Sequence, residues 1–190
     1  MPLMTRILIL TGDAGESQEI YYAKFRLEEE GWQVHITAPG SPGDVFLSVV
    51  HDFEPGHDTY TEKPGYRVTI DVGLDEVDPA SYDGLVLPGG RAPEFLCRRP
   101  QAVSVVKAFA EAGKPIAANC HGPLLLAAAG VTQGRTLTCY PDLEFLMSQA
   151  GARFVDQAVV VDGNLVSVRG WPDNSPWMGE FVKLLKARKS

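Results

Sequence analysis

The sequence predicts an α/β fold, a single-domain sandwich in which helices flank a mostly parallel central sheet. Short apolar runs that end in turn residues alternate with amphipathic segments that end in glycine. Continuous apolar runs are typical of strands buried on both faces of a parallel sheet, and strands that alternate with helices indicate this architecture. The chain has 190 residues, a length that fits one domain burying roughly 70% of its unfolded surface without disulfides.

The first βαβ unit is predicted over residues 7–37. The apolar run at 7–10 is bounded by turn residues and predicts a strand. Apolar side chains recur at helical spacing over 19–30, and Gly31 follows them as a C-terminal cap would. Residues 34–37 predict the second strand, and the crossover between the two strands is expected to be right-handed.

Residues 41–64 are predicted to form an extended excursion from the sheet. Turn residues open this segment, and only residues 45–50 are compatible with a short strand. Residues 66–72 alternate weakly in polarity, which favours an edge strand. Long irregular segments inside compact domains are usually functional lids or simple excursions.

The alternation of strands and helices returns after residue 83. The predicted strands are residues 84–87, 115–118 and 136–138. The predicted helices are one that begins at Pro100 and two over residues 124–129 and 141–150. Residues 159–166 predict a hairpin on a two-residue turn, and Ser175-Pro176 predicts the start of a last helix.

Composition excludes several classes of protein. The three cysteines, Cys97, Cys120 and Cys139, form no C-x-x-C pair, which disfavours zinc ribbons, thioredoxin-type motifs and disulfide scaffolds. Unpaired thiols fit a reducing cytosol, and a cytoplasmic location is expected. The net charge of -7 argues against binding to nucleic acid. No apolar run approaches the length of about 20 residues that a membrane span needs, and residues 1–6 lack the shape of a signal peptide.

Cys120 stands where a buried strand gives way to a helix. Residues 115–118 end just before it, and a helix is predicted from Leu124. This arrangement resembles a nucleophile elbow, and a helix N-terminus favours the thiolate, so the pKa of Cys120 is expected to be lowered. A packed structural thiol is the alternative, because free cysteine is among the most buried residue types. Cys97 and Cys139 lack this context and are interpreted as structural.

Two further groups are expected at the same edge of the sheet, where sites form in open α/β folds. Gly89 and Gly90 follow the strand at 84–87, and glycines there let backbone N–H groups form an oxyanion hole. A plain turn is the alternative. Glu16 and Glu19 follow the first strand, where a carboxyl group either faces the crevice or complements the helix dipole.

Two segments resemble the ThiJ/PfpI (DJ-1/PfpI) superfamily. Residues 118–123 read Ala-Asn-Cys-His-Gly-Pro, and residues 87–94 read Leu-Pro-Gly-Gly-Arg-Ala-Pro-Glu. The resemblance extends from about Arg6 to the C-terminal helix. It implies a flavodoxin-like fold of the class I glutamine amidotransferase type with a cysteine nucleophile elbow.

The resemblance also implies roles for the matching residues. Cys120 is expected to be the nucleophile, and Glu19 a protonated acid that contacts its sulfur and moves protons. His121 matches the family's histidine, and Glu94 matches a carboxylate that orients this histidine from a neighbouring subunit. The oxyanion donors are expected to be the backbone N–H groups of Gly90 and His121. The adjacent side chains of Cys120 and His121 need not pair directly.

Two features depart from the family pattern. Asn119 stands where many members have an apolar residue, and it is expected either to alter the packing below the elbow or to bind something there. The segment 41–64 is longer than in the shortest PfpI-like members, and its residues from His51 to Tyr60 are similar to plant DJ-1-like proteins with glyoxalase activity, which favours carbonyl substrates. His51 and His57 are also compatible with a metal site, although loop histidines are usually polar surface. No cofactor or metal is expected.

Three functions are compatible with these residues. The first is a stress-protection enzyme of the glyoxalase III or deglycase type, in which Cys120 and Glu19 act on a small carbonyl compound or a glycated substrate. The second is a PfpI-type intracellular cysteine peptidase or amidase that uses Cys120, His121 and Glu94. The third is a redox-sensing stress chaperone with an oxidisable thiol. Because Glu94 is expected to act on a neighbour, self-association as a dimer or higher, with Glu94 near the interface, is predicted.

Overall fold

A seven-stranded sheet runs through the centre of the computed structural model, which describes residues 4–189. Residues 1–3 lie outside the described residues. They belong to the segment 1–6, which lacks the shape of a signal peptide. The strands are β1 (Arg6–Leu10), β2 (Gln33–Ala38), β3 (Val45–Asp52), β4 (Thr61–Thr69), β5 (Val72–Gly73), β6 (Gly84–Leu87), β7 (Ile116–Asn119), β8 (Thr136–Leu137), β9 (Arg153–Phe154), β10 (Val159–Asp162) and β11 (Leu165–Val168). The α-helices are α1 (Ser17–Glu28), α2 (Ala92–Leu96), α3 (Pro100–Glu111), α4 (Pro123–Ala128), α5 (Glu144–Gln149) and α6 (Asn174–Lys189).

The central sheet has the order β10-β11-β7-β6-β1-β2-β5 and is parallel except at β10. Side chains alternate across β1, so Ile7 and Ile9 pack with α1 and α6 on one face. Leu8 and Leu10 pack with α3 and α4 on the other face. The predicted α/β sandwich, with helices on both faces of a mostly parallel sheet, is therefore confirmed. The predicted hairpin at 159–166 is also present, as the antiparallel pair β10–β11.

The predicted excursion is an ordered antiparallel hairpin. Residues 45–69 form β3 and β4, which pair with each other in a separate two-stranded sheet. The segment 66–72, predicted as an edge strand, is divided between two sheets: most of it pairs with β3 in this hairpin, and Val72 belongs to β5, the edge strand of the central sheet. The predicted strand at 136–138 forms β8, which pairs with β9 outside the central sheet. An alternating pattern predicts a strand but does not fix its partner.

The β3–β4 hairpin is fixed against the carboxyl edge of the sheet. The Ala14 N–H donates to the Leu47 carbonyl at 2.9 Å, and the Val49 N–H donates to the Gly15 carbonyl at 2.9 Å. At its far end, Trp171 Nε1 donates to the His51 carbonyl at 3.0 Å. The hairpin is therefore held against the segments that follow β1 and β11.

Within residues 4–189, the structure contains no helix whose length and apolar character would let it cross a membrane.

Candidate active site

Cys120 occupies a strained turn between β7 and α4. Its φ is 54°, a left-handed value that a non-glycine residue rarely adopts and that costs of order 1–3 kcal/mol. Gly122 permits the sharp turn, because a side chain there would collide with the Leu87 carbonyl. The predicted strand-to-helix elbow is present, and strain of this kind persists where the surrounding structure holds it in place.

Glu19 meets the elbow across Gly89. Its side chain is 0% exposed, and Oε2 accepts the Gly89 N–H at 2.5 Å. A methyl group added to Gly89 would lie 2.5 Å from Cys120 Cβ and 3.0 Å from Glu19 Oε2. Only glycine therefore lets Cys120 and Glu19 both pack against this position. Glu16 caps α1 by accepting the Glu19 N–H at 2.9 Å and is also fully buried. The structure therefore brings Glu19 beside Cys120, as the sequence predicts.

Burial controls the protonation of this pair. It raises the pKa of Glu19 well above its ordinary value, and the charge of Glu16 raises it further. Burial also raises the pKa of Cys120 well above its ordinary value, followed by the charge of Glu19. The expectation of a lowered thiol pKa is therefore wrong, because desolvation in this interior outweighs the helix N-terminus. When Glu19 is protonated it carries no negative charge, so it no longer destabilises the Cys120 thiolate by repulsion.

Backbone N–H groups point at the sulfur from two sides. Those of Gly90 and His121 bond to the Cys120 thiol and act to lower its pKa. These are the two donors expected for an oxyanion. The sequence predicts Gly89 as a further backbone donor, but its N–H donates to Glu19 and its carbonyl accepts the Glu16 N–H at 3.2 Å. Gly89 therefore positions the acid instead of serving as an oxyanion donor.

His121 pairs directly with the thiol, contrary to the expectation that adjacent side chains need not meet. Its Nδ1 lies 3.2 Å from Cys120 Sγ, and its ring stacks on Tyr140 with centroids 5.4 Å apart. Burial, followed by the charge of His51, lowers the pKa of His121 to about 4. The imidazole is therefore neutral near pH 7 and can accept a proton.

Glu94 lies on α2 with an exposed side chain. Within the chain, the charge of Glu94 raises the pKa of Tyr60 and of Cys97. The charge that lowers the pKa of His121 is that of His51. Its predicted contact with a histidine of a neighbouring subunit stays a prediction.

His51 and His57 do not share a site. His51 is buried and its Nε2 lies 2.9 Å from Glu62 Oε2, whereas His57 is exposed in the loop between β3 and β4. Among the described residues, no group of three or more His, Cys, Asp or Glu side chains is placed to hold a metal ion.

Sequence reasoning missed the aromatic residues around the elbow. Tyr60 and Tyr140 have ring centroids 5.3 Å apart, and both contact the His121 ring. Tyr140 is 20 residues beyond the nucleophile along the chain, and its N–H donates to the Cys120 carbonyl at 3.0 Å. No local pattern signals this contact, which depends on how the chain returns to the elbow after α4.

A parallel sheet that ends in a strained cysteine turn, with a buried acid across a glycine, defines the class of α/β proteins with a cysteine nucleophile elbow. Within that class, the chain belongs to the DJ-1/PfpI family, whose model matches residues 5–184. The match covers every strand and most of α6, so the resemblance drawn from the two short motifs is confirmed.

Several curated proteins are similar over nearly the whole chain. A deglycase of Pyrococcus horikoshii is 45% identical over 181 residues, covering 95% of this chain and 99% of that protein. Deglycase PfpI of Pyrococcus furiosus is 43% identical over 181 residues, with the same coverage. Protein DJ-1 homolog D of Arabidopsis thaliana is 42% identical over 184 residues, and the match covers 94% of this chain but 47% of that protein.

Solved structures show the same fold. A two-domain protein of Anabaena variabilis with DJ-1/ThiJ/PfpI-like and ferritin-like domains has a TM-score of 0.82 at 27% identity, covering 96% of this chain and 48% of that one. DJ-1beta of Drosophila melanogaster has a TM-score of 0.78 at 22% identity and covers 97% of each chain.

Proposed function

We propose that this chain is a cysteine-dependent enzyme of the deglycase type that acts on reactive carbonyl compounds. The observation that carries the proposal is the meeting of Cys120 and Glu19 across Gly89 in a buried site. Relatives that are 45% and 43% identical along the whole chain are named deglycases, which supports the same activity here. A cytoplasmic location is supported by three cysteines that form no disulfide.

The first step is attack of the Cys120 sulfur on the aldehyde carbon of a dicarbonyl such as methylglyoxal. A C–S bond forms as the carbonyl electron pair moves to oxygen. The N–H groups of Gly90 and His121 stabilise the negative charge that develops there. The thiol proton ends on the new hydroxyl group with Glu19 as its carrier, so a hemithioacetal forms without loss or gain of protons.

The second step moves a hydrogen between the two carbonyl carbons. The neutral imidazole of His121 removes a proton from the carbon that bears the sulfur, and the adjacent carbonyl carbon receives it. The product is a thioester of the hydroxy acid. Water then cleaves the C–S bond, which restores the thiol and releases lactic acid. The sum is methylglyoxal plus water to lactic acid, so no external oxidant or reductant is needed.

The same steps apply to a glycated amine or thiol. The hemiaminal or hemithioacetal first releases the free amine or thiol, which restores the carbonyl group, and Cys120 then adds to that carbonyl carbon. The thioester forms as before, and water cleaves it to the hydroxy acid and the Cys120 thiol. A glyoxalase III activity and a deglycase activity therefore use one set of residues.

The test is the production of lactate from methylglyoxal, and of free amine from a glycated amino acid, by purified variants. We expect Cys120→Ala to reduce both rates to the background of the buffer, whereas Cys97→Ala retains the rate of the unaltered protein. Cys97 is a matched control because it is the more exposed cysteine but lies outside the elbow. Equal rates for Cys120→Ala and the unaltered protein would refute the proposal.

A second candidate, a peptidase or amidase, is favoured by the 3.2 Å contact between Cys120 Sγ and His121 Nδ1. A thiol beside a neutral imidazole is the arrangement that cysteine hydrolases use. Cleavage of a fluorogenic peptide by the reduced protein, lost in Cys120→Ala, would support it. The redox-sensor hypothesis is not favoured, because Cys120 is only 6% exposed and its pKa is raised.

A further inference from the structure

Tyr60 comes to the active site on the hairpin that the sequence predicts only as an excursion. We propose that Tyr60 is a specificity-determining residue whose ring closes the space beside Cys120 and His121, so that only small carbonyl compounds reach the thiol. The inference deepens the proposed function by setting the size of the substrate. Its main test measures access to the thiol and does not require turnover.

The Tyr60 ring is the centre of a cluster of rings next to the elbow. Its centroid lies 4.3 Å from that of His51, 5.3 Å from that of Tyr140 and 5.9 Å from that of His121. The contacts with His121 and Tyr140 are edge-on, at interplanar angles of 87° and 79°. Edge-to-face pairs at these distances are favourable packing, so the ring is held in one place.

The hairpin that carries Tyr60 is fixed by Glu62, two residues further along the chain. Glu62 accepts two hydrogen bonds from Arg91, from Nε at 2.7 Å and from Nη2 at 2.8 Å. The same carboxylate lies 2.9 Å from His51 Nε2. Arg91 directly follows Gly90, so a bidentate ion pair ties the hairpin to the loop that supplies an oxyanion donor.

The Tyr60 hydroxyl lies within the electrostatic reach of the nucleophile. Burial raises the pKa of Tyr60 to about 12, followed by the charges of Cys120 and Glu94. The phenol is therefore uncharged near neutral pH, and the ring carries no charge that would draw it into water.

The covering by Tyr60 explains the burial of the reactive groups. Cys120 and His121 are each only 6% exposed, although both follow the end of a strand at the edge of the sheet. Two aromatic rings contact the His121 ring, those of Tyr60 and Tyr140. Tyr140 is fixed to the elbow by its backbone N–H, whereas Tyr60 is supplied by the β3–β4 hairpin.

The experiment compares two thiol reagents of different size on the reduced, full-length protein. Iodoacetamide is the small probe and N-(1-pyrenyl)maleimide is the bulky one, and the rate of labelling at Cys120 is followed by peptide mass spectrometry. We expect Tyr60→Ala to raise the ratio of the bulky rate to the small rate about tenfold or more, the size of effect that pocket shape commonly supplies. Tyr60→Phe retains the ring and should keep the original ratio.

Tyr66→Ala is the matched control, because Tyr66 lies on the same hairpin with 67% of its side chain exposed and packs on Tyr21. It should leave the ratio unchanged. Tyr60→Leu guards against loss of the hairpin fold, since it keeps an apolar side chain in the cluster and should give an intermediate ratio. An unchanged ratio in Tyr60→Ala overturns the proposal, and so does an equal rise in Tyr66→Ala.

Turnover provides a second readout that separates this inference from the proposed function. In Tyr60→Ala, kcat/KM for phenylglyoxal should rise relative to that for methylglyoxal. If no variant turns over either compound but the labelling ratio still rises, the proposed function fails and the role of Tyr60 stands. If methylglyoxal is converted but neither ratio changes, the role of Tyr60 fails alone.

Discussion

Asn119 Nδ2 donates a buried hydrogen bond to Asn174 Oδ1 at 2.8 Å, linking the strand before the nucleophile to the start of α6. Asn174 Nδ2 in turn donates to the Gln18 carbonyl at 3.3 Å. Gln18 directly precedes Glu19, and Asn119 directly precedes Cys120. The amide pair therefore connects the two segments that carry Glu19 and Cys120.

Asn119→Leu should destabilise the fold and slow the reaction. The substitution leaves Asn174 Oδ1 buried without its donor, and an unsatisfied buried acceptor costs about 1–3 kcal/mol. Urea unfolding measures that loss. Because the link between the acid and the nucleophile is cut, kcat for methylglyoxal should fall while KM changes little.

The double variant Asn119→Leu with Asn174→Leu separates stability from positioning. Removing both amides should recover much of the free energy of unfolding, since the buried Asn174 Oδ1 is removed together with its donor and the Gln18 carbonyl loses only the 3.3 Å contact. The low kcat should persist, because nothing then connects the two segments. Full recovery of kcat together with stability would mean that the amide pair has a structural role alone.

The elbow was predictable because its signals are local. A buried apolar run, a cysteine and a small residue before a helix are consecutive in the sequence, and they predict the turn at Cys120. The Asn119–Asn174 pair joins residues 55 positions apart, and a single sequence contains nothing that pairs them. The raised pKa of the Cys120 thiol was not predictable either, since it follows from burial and from the charge of Glu19, and both depend on how distant segments pack.

The hairpin was the main part of the fold that could not be predicted. The alternation over residues 66–72 is the same whether the strand joins the central sheet or pairs with β3. Its partner is decided by distant contacts, such as those of Arg91 with Glu62 and of Trp171 with the His51 carbonyl. Tyr60 was visible in the sequence, but its place beside His121 follows only from this docking.

The neutral imidazole of His121 predicts a loss of stability in acid. Its pKa is about 4 in the folded protein and about 6.5 in the unfolded chain. Between these values the unfolded chain takes up the proton and the folded protein does not, so stability falls as the pH falls from 6.5 towards 4. A shift of this size corresponds to about 3 kcal/mol. Urea unfolding between pH 7 and pH 4 measures it, with His121→Gln as the variant that lacks this titration. Parallel curves for the two proteins would contradict the prediction.

Glu19→Gln should abolish the reaction. It should also remove the dependence of folding stability on pH that the Glu19 carboxyl group contributes. The pKa of Glu19 is raised in the folded protein, so its contribution to stability is fully present below about 4.5 and is lost as the pH rises through the folded pKa. Relative to the unaltered protein, Glu19→Gln should therefore become more stable as the pH rises above that point. The amide oxygen can still accept the Gly89 N–H, but the side chain cannot carry a proton.

Glu30→Gln is the matched control, because the pKa of Glu30 is lowered by hydrogen bonds from Lys186 and Arg26. A lowered pKa gives stability that is present above the unfolded value and lost in acid, so this variant should become relatively less stable as the pH rises. Activity should be retained. If Glu19→Gln and Glu30→Gln respond to pH in the same direction, the assignment of Glu19 as a buried, protonated acid is wrong.

Glu94 supports a test of whether the active site is shared between subunits. Its exposed carboxylate is predicted to orient the histidine of a neighbouring copy, so Glu94→Gln should lower kcat at an unchanged oligomeric state. A mixture of Glu94→Gln and Cys120→Ala, refolded together, then contains assemblies in which an intact Cys120 and His121 meet an intact Glu94. If the site is shared, the mixture should be more active than the sum of its components. If Glu94 acts only within its own chain, through the Tyr60 hydroxyl on which its charge acts, mixing should give no gain.

Size-exclusion chromatography with light scattering establishes that mixed assemblies have formed. A strictly monomeric protein with full activity would rule out the shared site.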